Sequence, residues 1–151
     1  MYRMRHSLQA KSLEVLLVHF GGPFWAKKDL GAWSIPKGEY LAEEDPLAAA
    51  RREFHEETGF PAEGEFRALG EIRQAGGKSV LAWAFRGDCD PTKLKSNNFR
   101  MEWPPGSGHQ IEAPEVDRAA WFSLPAARER MLRGQLPLLD RLVQLLGAGE
   151  S

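Results

Sequence analysis

Residues Gly38 to Phe60 read GEYLAEEDPLAAARREFHEETGF and contain the clearest helix signal of the chain. The pair Asp45-Pro46 starts the helix, because the aspartate can accept from free backbone donors and proline fits the first helical position. We expect the helix to run to Glu57 or Thr58. Gly59 is its C-terminal stop.

Three glutamates of this segment fall together on one face of the expected helix. At about 100° per residue, Glu53, Glu56 and Glu57 lie side by side. The neighbouring face carries the residues expected to pack: Leu47, Ala50, Phe54 and Thr58. Like charges at this spacing destabilise a helix by roughly a few tenths of a kcal/mol. A Mg²⁺ ion, which prefers carboxylate oxygens, would offset that repulsion. The alternative is a solvated acidic face on which Arg51 and Arg52 form ordinary surface pairs.

The wider spacing of the segment is more specific than the glutamates alone. After Gly38 come five residues and Glu44, then seven residues and Arg52-Glu53, then Glu56-Glu57 and Gly59, with apolar residues at positions 54 and 60. With average amino-acid usage, seven fixed positions coincide by chance on the order of once in a hundred million starts. The segment resembles the Nudix box, the motif of the Nudix hydrolase family.

This resemblance implies a fold, an activity and a set of site residues. The fold implied is α/β (α+β), a Nudix-type α/β/α sandwich with a mixed β-sheet, in one domain over residues 1–151. The activity implied is hydrolysis of a phosphoanhydride bond in a nucleoside diphosphate-linked compound, by attack of water on phosphorus. The cofactor implied is Mg²⁺, with Mn²⁺ as an alternative. The metal ligands implied are Glu53, Glu56, Glu57 and the backbone at Gly38. The supporting residues implied are Arg52, which would hold the carboxylates by salt bridges, and Glu44, which would support the metal shell or orient a glutamate.

The general base is left open by the sequence. A carboxylate near a dication can take the proton of the attacking water. Glu53, Glu56, Glu112 and Glu115 are all candidates, and we favour a residue of the box. The alternative interpretation of Glu112 and Glu115 is solvated charge in a loop that contains proline.

Basic and aromatic residues before the box are candidates for substrate binding. Lys37 precedes Gly38 directly, so its ammonium can pair with a phosphate beside the metal. Lys27 and Lys28 lie in the preceding loop, where the alternative is a pair that only improves solubility. Trp25, in the same loop, can stack on a purine base or fill the interior.

Two shorter resemblances concern the substrate. The Pro36-Lys37-Gly38 motif is similar to that of the diadenosine polyphosphate and diphosphoinositol branches of the family. Residues 21–25 and 96–105 look like a bacterial subgroup described as predicted nucleoside triphosphate pyrophosphohydrolases. The expected substrate is therefore a nucleoside triphosphate or a dinucleoside polyphosphate. One alternative is a diphosphoinositol polyphosphate phosphatase, in which Arg3, Arg5 and Arg100 would have to converge. The other is a non-catalytic nucleotide-binding module, which is expected to have lost box carboxylates.

The remaining sequence predicts strands and helices around the box helix. A buried strand at residues 13–20 should end at Gly21-Gly22-Pro23. A short strand is expected at 33–35, and a hairpin of residues 65–74 and 79–86 should turn at Gly76-Gly77. Phe99, Met101 and Trp103 alternate with polar neighbours. A further strand is expected at 119–122, followed by helices at 126–133 and 137–146. Residues 88–114 are rich in turn formers. This order of elements predicts an α+β or α/β sandwich.

Composition limits the possible partners. With 151 residues and a formal net charge of -1, the chain fits one domain and lacks the basic field of a nucleic-acid or anionic-membrane binder. The single cysteine, Cys89, leaves no disulfide partner and fits a reducing, cytoplasmic compartment. No apolar stretch is long enough to span a membrane. We expect a small-molecule nucleotide as the partner, and a monomer or homodimer.

Overall fold

Strands and helices make up most of the chain in the structure, a computed structural model that describes residues 1–6, 11–37, 43–74 and 76–149. The strands are β1 (Tyr2–His6), β2 (Lys11–Phe20), β3 (Trp33–Ser34), β4 (Phe66–Arg73), β5 (Ser79–Phe85), β6 (Asn98–Glu102), β7 (Gln110–Pro114) and β8 (Val116–Ser123). The α-helices are α1 (Pro46–Thr58), α2 (Leu124–Arg130) and α3 (Leu136–Gly149). None of the described helices has both the length and the apolar character needed to cross a membrane.

The largest sheet is built around β2. This strand pairs antiparallel with β1, β3 and β8. β4 pairs antiparallel with β5, and β6 pairs antiparallel with β7. Parallel pairing is seen at isolated bridges, between Tyr2 and Arg86 and between Trp33 and Met131. Among the described residues, the expected mixed character of the sheet therefore comes from these bridges and not from long parallel ladders.

Alternate side chains of β2 place the sheet between two layers of helix. Val15 and Leu17 pack in an apolar cluster that includes residues of α2 and α3. The helical members of that cluster are Ala127, Leu139 and Leu142. Leu16 packs instead with Phe54 of α1 and with Phe85. Because successive side chains of a strand point to opposite faces, α1 covers one face of the sheet, and α2 and α3 cover the other. The expected α/β/α sandwich and α+β class are confirmed.

The helix α1 begins and ends where the sequence predicts. The Asp45 carboxylate accepts from the Ala48 N–H at 3.0 Å. Gly59 has a φ of 76° and donates its N–H to the His55 carbonyl. Glycine adopts this left-handed conformation without the steric cost that a Cβ imposes. Local capping therefore fixes both ends of the helix.

The buried face of α1 is wider than predicted. Phe54 and Thr58 are buried, as expected, and so is Ala49. Leu47 and Ala50 are only half-buried. The helix contacts both β5 and β8, so its packing surface covers more than the single stripe assumed from the sequence.

Several elements have other bounds than the sequence predicts. The N-terminal residues form β1, which was not predicted, and β2 begins at Lys11. The turn-rich region at 88–114 contains the β6–β7 hairpin, and β8 is longer than the predicted strand at 119–122. α2 and α3 each start earlier than predicted, and Ser123 caps α2 by accepting from the Ala126 N–H at 3.4 Å. Strand pairing joins residues far apart in sequence, so local composition does not reveal it.

Gly21 lies where β2 ends, in close contact with the chain at residues 114–115. Its N–H donates to the Glu115 carbonyl at 2.9 Å. A Cβ added to Gly21 would lie 1.8 Å from the Pro114 carbonyl oxygen, so this approach requires glycine. We predict that Gly21→Ala lowers the free energy of unfolding by at least about 2 kcal/mol, because the two segments must separate. Urea denaturation measures this change.

The control for this substitution is Gly147→Ala in α3. A Cβ at Gly147 has no neighbour within 4 Å. Alanine favours a helix over glycine by roughly 1 kcal/mol, so this variant should be as stable as the wild type or slightly more stable. Equal stability of Gly21→Ala and the wild type would contradict the close contact between the two segments.

Candidate active site

Arg52 holds three of the predicted carboxylates. Its Nε and one Nη donate to the two oxygens of Glu44, each at 2.9 Å. The other Nη donates to Glu53 at 2.9 Å and to Glu56 at 3.1 Å. The hydrogen bonds to Glu44 and Glu56 raise the pKa of the Arg52 guanidinium. The predicted salt bridges of Arg52 are therefore present, and the planar fork of the guanidinium allows one side chain to make all of them.

Glu57 is the box carboxylate that the fold buries. It is 8% exposed, and it accepts from the backbone N–H of Lys37 at 2.5 Å. Burial raises the pKa of Glu57 to about 8, and the negative charges of Glu115 and Glu53 act in the same direction. The Lys37 N–H and ammonium oppose this rise. A carboxylate in these surroundings favours a proton or a cation as its partner.

Glu115 adds a fifth carboxylate from a distant part of the sequence. Burial is the main cause that raises the pKa of Glu53, with Arg52 opposing the rise and the charges of Glu56 and Glu115 adding to it. Hydrogen bonds through the backbone of Asn97 link Glu115 to Glu56 of α1, so Glu115 lies near the box helix. The structure therefore brings one of the two downstream candidates to the box.

Glu112, the other downstream candidate, has different surroundings. It lies on β7 opposite Arg100 of β6, and it is exposed. This placement agrees with the solvated interpretation of its charge. Glu112 and Glu115 thus offer a matched pair of carboxylates, three positions apart, for separating a catalytic role from a surface role.

A series of backbone hydrogen bonds holds Glu115 beside α1. The Asn97 N–H donates to the Glu56 carbonyl at 3.1 Å, and the Glu115 N–H donates to the Asn97 carbonyl at 2.7 Å. On its other side, the Glu115 carbonyl accepts from Gly21. In the sequence, Gly21 belongs to a turn, and Gly21 and Asn97 lie in the two segments that resemble a bacterial subgroup. Backbone donors of this kind leave no motif, so the sequence does not predict the contact of Asn97 with α1.

The predicted metal carboxylates are not gathered around one point. Within the described ranges, no group of three or more acidic, histidine or cysteine side chains is arranged to hold an ion. Arg52 donates hydrogen bonds to Glu53 and Glu56, whereas Glu57 accepts from the backbone N–H of Lys37. The chemistry of the donor set nevertheless fits a hard divalent cation, because every donor is a carboxylate oxygen and burial raises the pKa of Glu53 and Glu57. The prediction for Gly38 lies outside the described residues.

The other predicted substrate residues lie in the loop after β2. The Lys28 ammonium is 3.6 Å from the centre of the Phe24 ring and 5.3 Å from that of Trp25. Trp25 is half-buried and packs against Phe20, with ring centres 4.8 Å apart. Lys27 is exposed. These contacts join Lys28 to aromatic rings rather than to the box carboxylates.

His19 fixes this loop and was not singled out in the sequence. Its side chain is fully buried, with Nδ1 2.7 Å from the Asp117 carboxylate and Nε2 2.5 Å from the Lys28 carbonyl. His19 of β2 therefore connects the loop at Lys28 to Asp117 of β8. The sequence signal for this role is a histidine within an otherwise apolar strand.

An apolar cavity of about 150 Å³ adjoins the site. Among its described lining residues, Lys37 and Glu53 carry charge. The apolar lining includes Val15, Leu17, Ile35, Ala50, Leu69 and Ala82. The cavity is mostly apolar, and its volume is below the roughly 300 Å³ of a small ligand pocket. It offers apolar contact next to the charged residues.

The similarity to known proteins extends far beyond the box. The sequence profile of the NUDIX domain matches residues 8–142. The chain belongs to the Nudix family. The match covers most of the chain, so Nudix membership does not depend on the box alone. This Nudix protein is an enzyme, a pyrophosphohydrolase, and enzymes of the family use divalent metal ions.

Individual Nudix proteins are similar over most of their length. An RNA pyrophosphohydrolase of Bartonella henselae is 26% identical, over 76% of each chain. The structure of a C. elegans Ap4A hydrolase binary complex has a TM-score of 0.63 at 21% identity, covering 97% of this chain and 94% of that one. The NUDIX domain of Shewanella oneidensis NrtR, complexed with ADP ribose, has a TM-score of 0.61 at 18% identity, covering 96% and 84%. The two structures support the Nudix fold.

Proposed function

We propose that the enzyme hydrolyses a phosphoanhydride bond in a nucleoside triphosphate or a dinucleoside polyphosphate, with Mg²⁺ as its cofactor and Mn²⁺ as an alternative. The observation that carries this proposal is the buried carboxylate of Glu57, which is held by Lys37 and influenced by the charges of Glu53 and Glu115. A buried carboxylate that is influenced by other negative charges favours a dication as its partner, and that dication can also bind phosphate oxygens.

Each box residue has a separate role in this proposal. The metal ligands are Glu53, Glu56, Glu57 and the backbone at Gly38. Arg52, itself fixed by both oxygens of Glu44, sets the directions of Glu53 and Glu56. Bound Mg²⁺ would supply charge neutralisation of the diphosphate and polarisation of the attacked phosphorus. The side chains of the protein orient the ligands and accept the proton of the attacking water.

Positive charge for the remaining phosphates comes from three lysines. Lys37 lies beside Glu57 and is the first of them. We assign Lys27 and Lys28 to phosphates farther from the metal, and Trp25 to stacking on a base. Support comes from Phe24, which is 53% exposed next to Lys28 and Trp25. Exposed aromatic faces beside an ammonium group suit a nucleotide.

We propose Glu115 as the general base, in place of the box residue favoured from the sequence. Glu53 and Glu56 are both engaged by hydrogen bonds from Arg52. Glu115 lies near the same carboxylates and is held there by the backbone of Asn97. A base must approach the attacking water closely, and a rigid backbone anchor supports that geometry.

Glu115→Gln is expected to lower kcat by about 10² to 10⁴-fold at saturating Mg²⁺, because glutamine cannot accept the proton. Steady-state kinetics measures this change. Glu112→Gln is the matched control and should keep the wild-type kcat, since Glu112 is exposed on β7. A fully active Glu115→Gln would return the role of base to Glu53 or Glu56.

Similar proteins and sequence motifs support the choice of substrate. The similar protein of Bartonella henselae is an RNA pyrophosphohydrolase, and the similar structure from C. elegans is an Ap4A hydrolase. Residues 21–25 and 96–105 resemble a subgroup named for nucleoside triphosphates. These three similarities point to a nucleotide with a polyphosphate chain. The Pro36-Lys37-Gly38 motif resembles that of both the diadenosine polyphosphate and the diphosphoinositol branches, so it agrees with this substrate without excluding the alternative.

Two alternatives are less well supported. A diphosphoinositol polyphosphate phosphatase needs a denser set of free cations, yet Arg3 is paired with Glu14 at 2.9 Å and with Asp88 at 2.8 Å. Arg5 also lies 3.9 Å from Glu14, and Arg100 lies opposite Glu112 in the β6–β7 hairpin. A non-catalytic binding module has no need for a complete set of box carboxylates, and this sequence contains all of them.

Product analysis tests the proposed function. The protein is incubated with Mg²⁺ in ¹⁸O water and a panel of nucleoside triphosphates, dinucleoside polyphosphates, ADP-ribose and inositol pyrophosphates, and the products are identified by mass. We expect turnover of a nucleoside triphosphate or a dinucleoside polyphosphate, with ¹⁸O in one phosphate-bearing product, and no turnover without a divalent metal. Turnover of inositol pyrophosphates alone would favour the first alternative. No turnover of any compound would favour the binding module.

A further inference from the structure

Gln135 is a fully buried amide at which three segments of the chain meet. Its exposed fraction is 0%. Its Oε1 accepts from the Ile35 N–H at 3.0 Å. Its Nε2 donates to the Ser34 hydroxyl oxygen and to the Gln74 side-chain oxygen, both at 2.9 Å. Both amide hydrogens and the amide oxygen therefore have partners, as a buried polar group requires.

These contacts fix the short strand that leads to the box. The Ser34 hydroxyl accepts from Gln135 and donates to the Ile35 carbonyl at 2.7 Å. Both backbone groups of Ile35 are thus held by side chains. The chain before Gln135 runs beside the same strand, because the Leu132 N–H donates to the Trp33 carbonyl and the Gln135 N–H donates to the Leu132 carbonyl, both at 2.9 Å.

Lys37 connects this anchor to the candidate active site. Its N–H donates to Glu57. Pro36, between Ile35 and Lys37, has no N–H, and its ring restricts φ. The Ile35 N–H, which donates to Gln135, and the Lys37 N–H, which donates to Glu57, are therefore consecutive backbone donors along the chain. A shift of Ile35 is passed through the stiff proline to the Lys37 N–H.

We propose that Gln135 is a positioning residue for the Nudix reaction. By holding Ile35, it places the Lys37 N–H on Glu57 and thereby sets the affinity of the site for the divalent cation. This inference rests on the proposed function, in which Glu57 is a metal ligand. Gln135 acts through residues 35–37. An amide that only stabilised the core would affect unfolding and leave the affinity for Mg²⁺ unchanged.

Gln135→Met in the full-length protein is the test variant. Methionine keeps the length and approximate volume of the side chain but cannot form the amide hydrogen bonds. We expect Mg²⁺ to bind the metal-free variant about 10-fold more weakly in isothermal titration calorimetry, and kcat to fall by about 10 to 100-fold at a fixed Mg²⁺ concentration. KM for the nucleotide should rise as well, because Lys37, which we assign to a phosphate, moves with residues 35–37.

Gln74→Met is the matched control. It removes one hydrogen bond of the same buried amide and leaves the contacts to Ile35 and Ser34 in place. Its Mg²⁺ affinity and kcat should match those of the wild type. Wild-type affinity and kcat in a folded Gln135→Met variant would overturn the inference. Equal losses in Gln135→Met and Gln74→Met would overturn it as well.

If Gln135→Met shows no cooperative thermal transition and is therefore unfolded, Ser34→Ala tests the inference instead. This substitution removes only the hydroxyl that links Gln135 to the Ile35 carbonyl. The inference requires weaker Mg²⁺ binding in this variant, by a smaller factor than in Gln135→Met. Unchanged binding overturns it. The calorimetric measurement also separates this inference from the proposed function. If the wild-type protein binds Mg²⁺ but hydrolyses none of the compounds, the proposed function is contradicted, and the effect of Gln135 on Mg²⁺ binding can still be measured.

Discussion

Glu57→Gln is expected to lower kcat/KM by at least about 10³-fold while the protein stays folded. Glutamine has nearly the same shape and can still accept from the Lys37 N–H. It lacks the negative charge that we propose binds the metal. Because Glu57 is buried, its charge acts in a medium of lower dielectric constant than water, where charge interactions are stronger. Steady-state kinetics over a range of Mg²⁺ concentrations measures the loss.

Two further variants are compared with Glu57→Gln, one as a second test and one as a control. Glu56→Gln should lose activity in the same direction, since Glu56 belongs to the same proposed ligand set. Glu63→Gln changes an exposed glutamate beyond the end of α1 and should keep wild-type activity. Near-full activity of Glu57→Gln or Glu56→Gln would show that the substituted residue is not a metal ligand. Circular dichroism of each variant confirms that a loss of activity is not a loss of folding.

The stability of the metal-free protein is expected to fall, relative to Glu57→Gln, as the pH rises. Burial raises the folded-state pKa of Glu57 from 4.5 to about 8. The folded protein therefore holds a proton that the unfolded chain releases. This stabilisation is complete below about pH 4.5 and is lost as the pH rises through about 8. Glutamine does not titrate, so Glu57→Gln lacks this dependence.

Urea denaturation at about pH 5 and about pH 8.5, with a chelator present, measures this effect. Between these conditions, the stability of Glu57→Gln should increase relative to the wild type by on the order of a few kcal/mol. The other ionisable groups are common to both proteins, so the difference reports Glu57 together with Glu53 and Glu115, whose charges act on it. A difference that does not change with pH would mean that Glu57 has an ordinary carboxyl pKa in solution.

Mg²⁺ should reverse this loss of stability at about pH 8.5. A ligand that binds only the folded state adds about 2.7 kcal/mol at a concentration 100 times its Kd. We expect this gain in the wild type and a smaller gain in Glu57→Gln. Equal gains in the two proteins would place the ion at another site.

The sequence by itself determined the box helix and the carboxylates that lie on it. Asp45 and Gly59 fix the ends of α1 through hydrogen bonds within four residues of each cap. The helical repeat of about 100° per residue then places Glu53, Glu56 and Glu57 near one another. Arg52, four residues before Glu56, reaches it by the same local geometry. Contacts of this range depend on neighbouring residues, which a single sequence displays.

Tertiary structure alone decided how the box is supported. Glu115 reaches the box through the backbone of Asn97, and Gln135 holds Ile35 from 100 positions away. Only the fold revealed that Glu57 is the buried carboxylate, because burial depends on which strands α1 packs against. Such contacts join residues far apart in the chain, through backbone groups that every residue has, so residue type and spacing do not encode them.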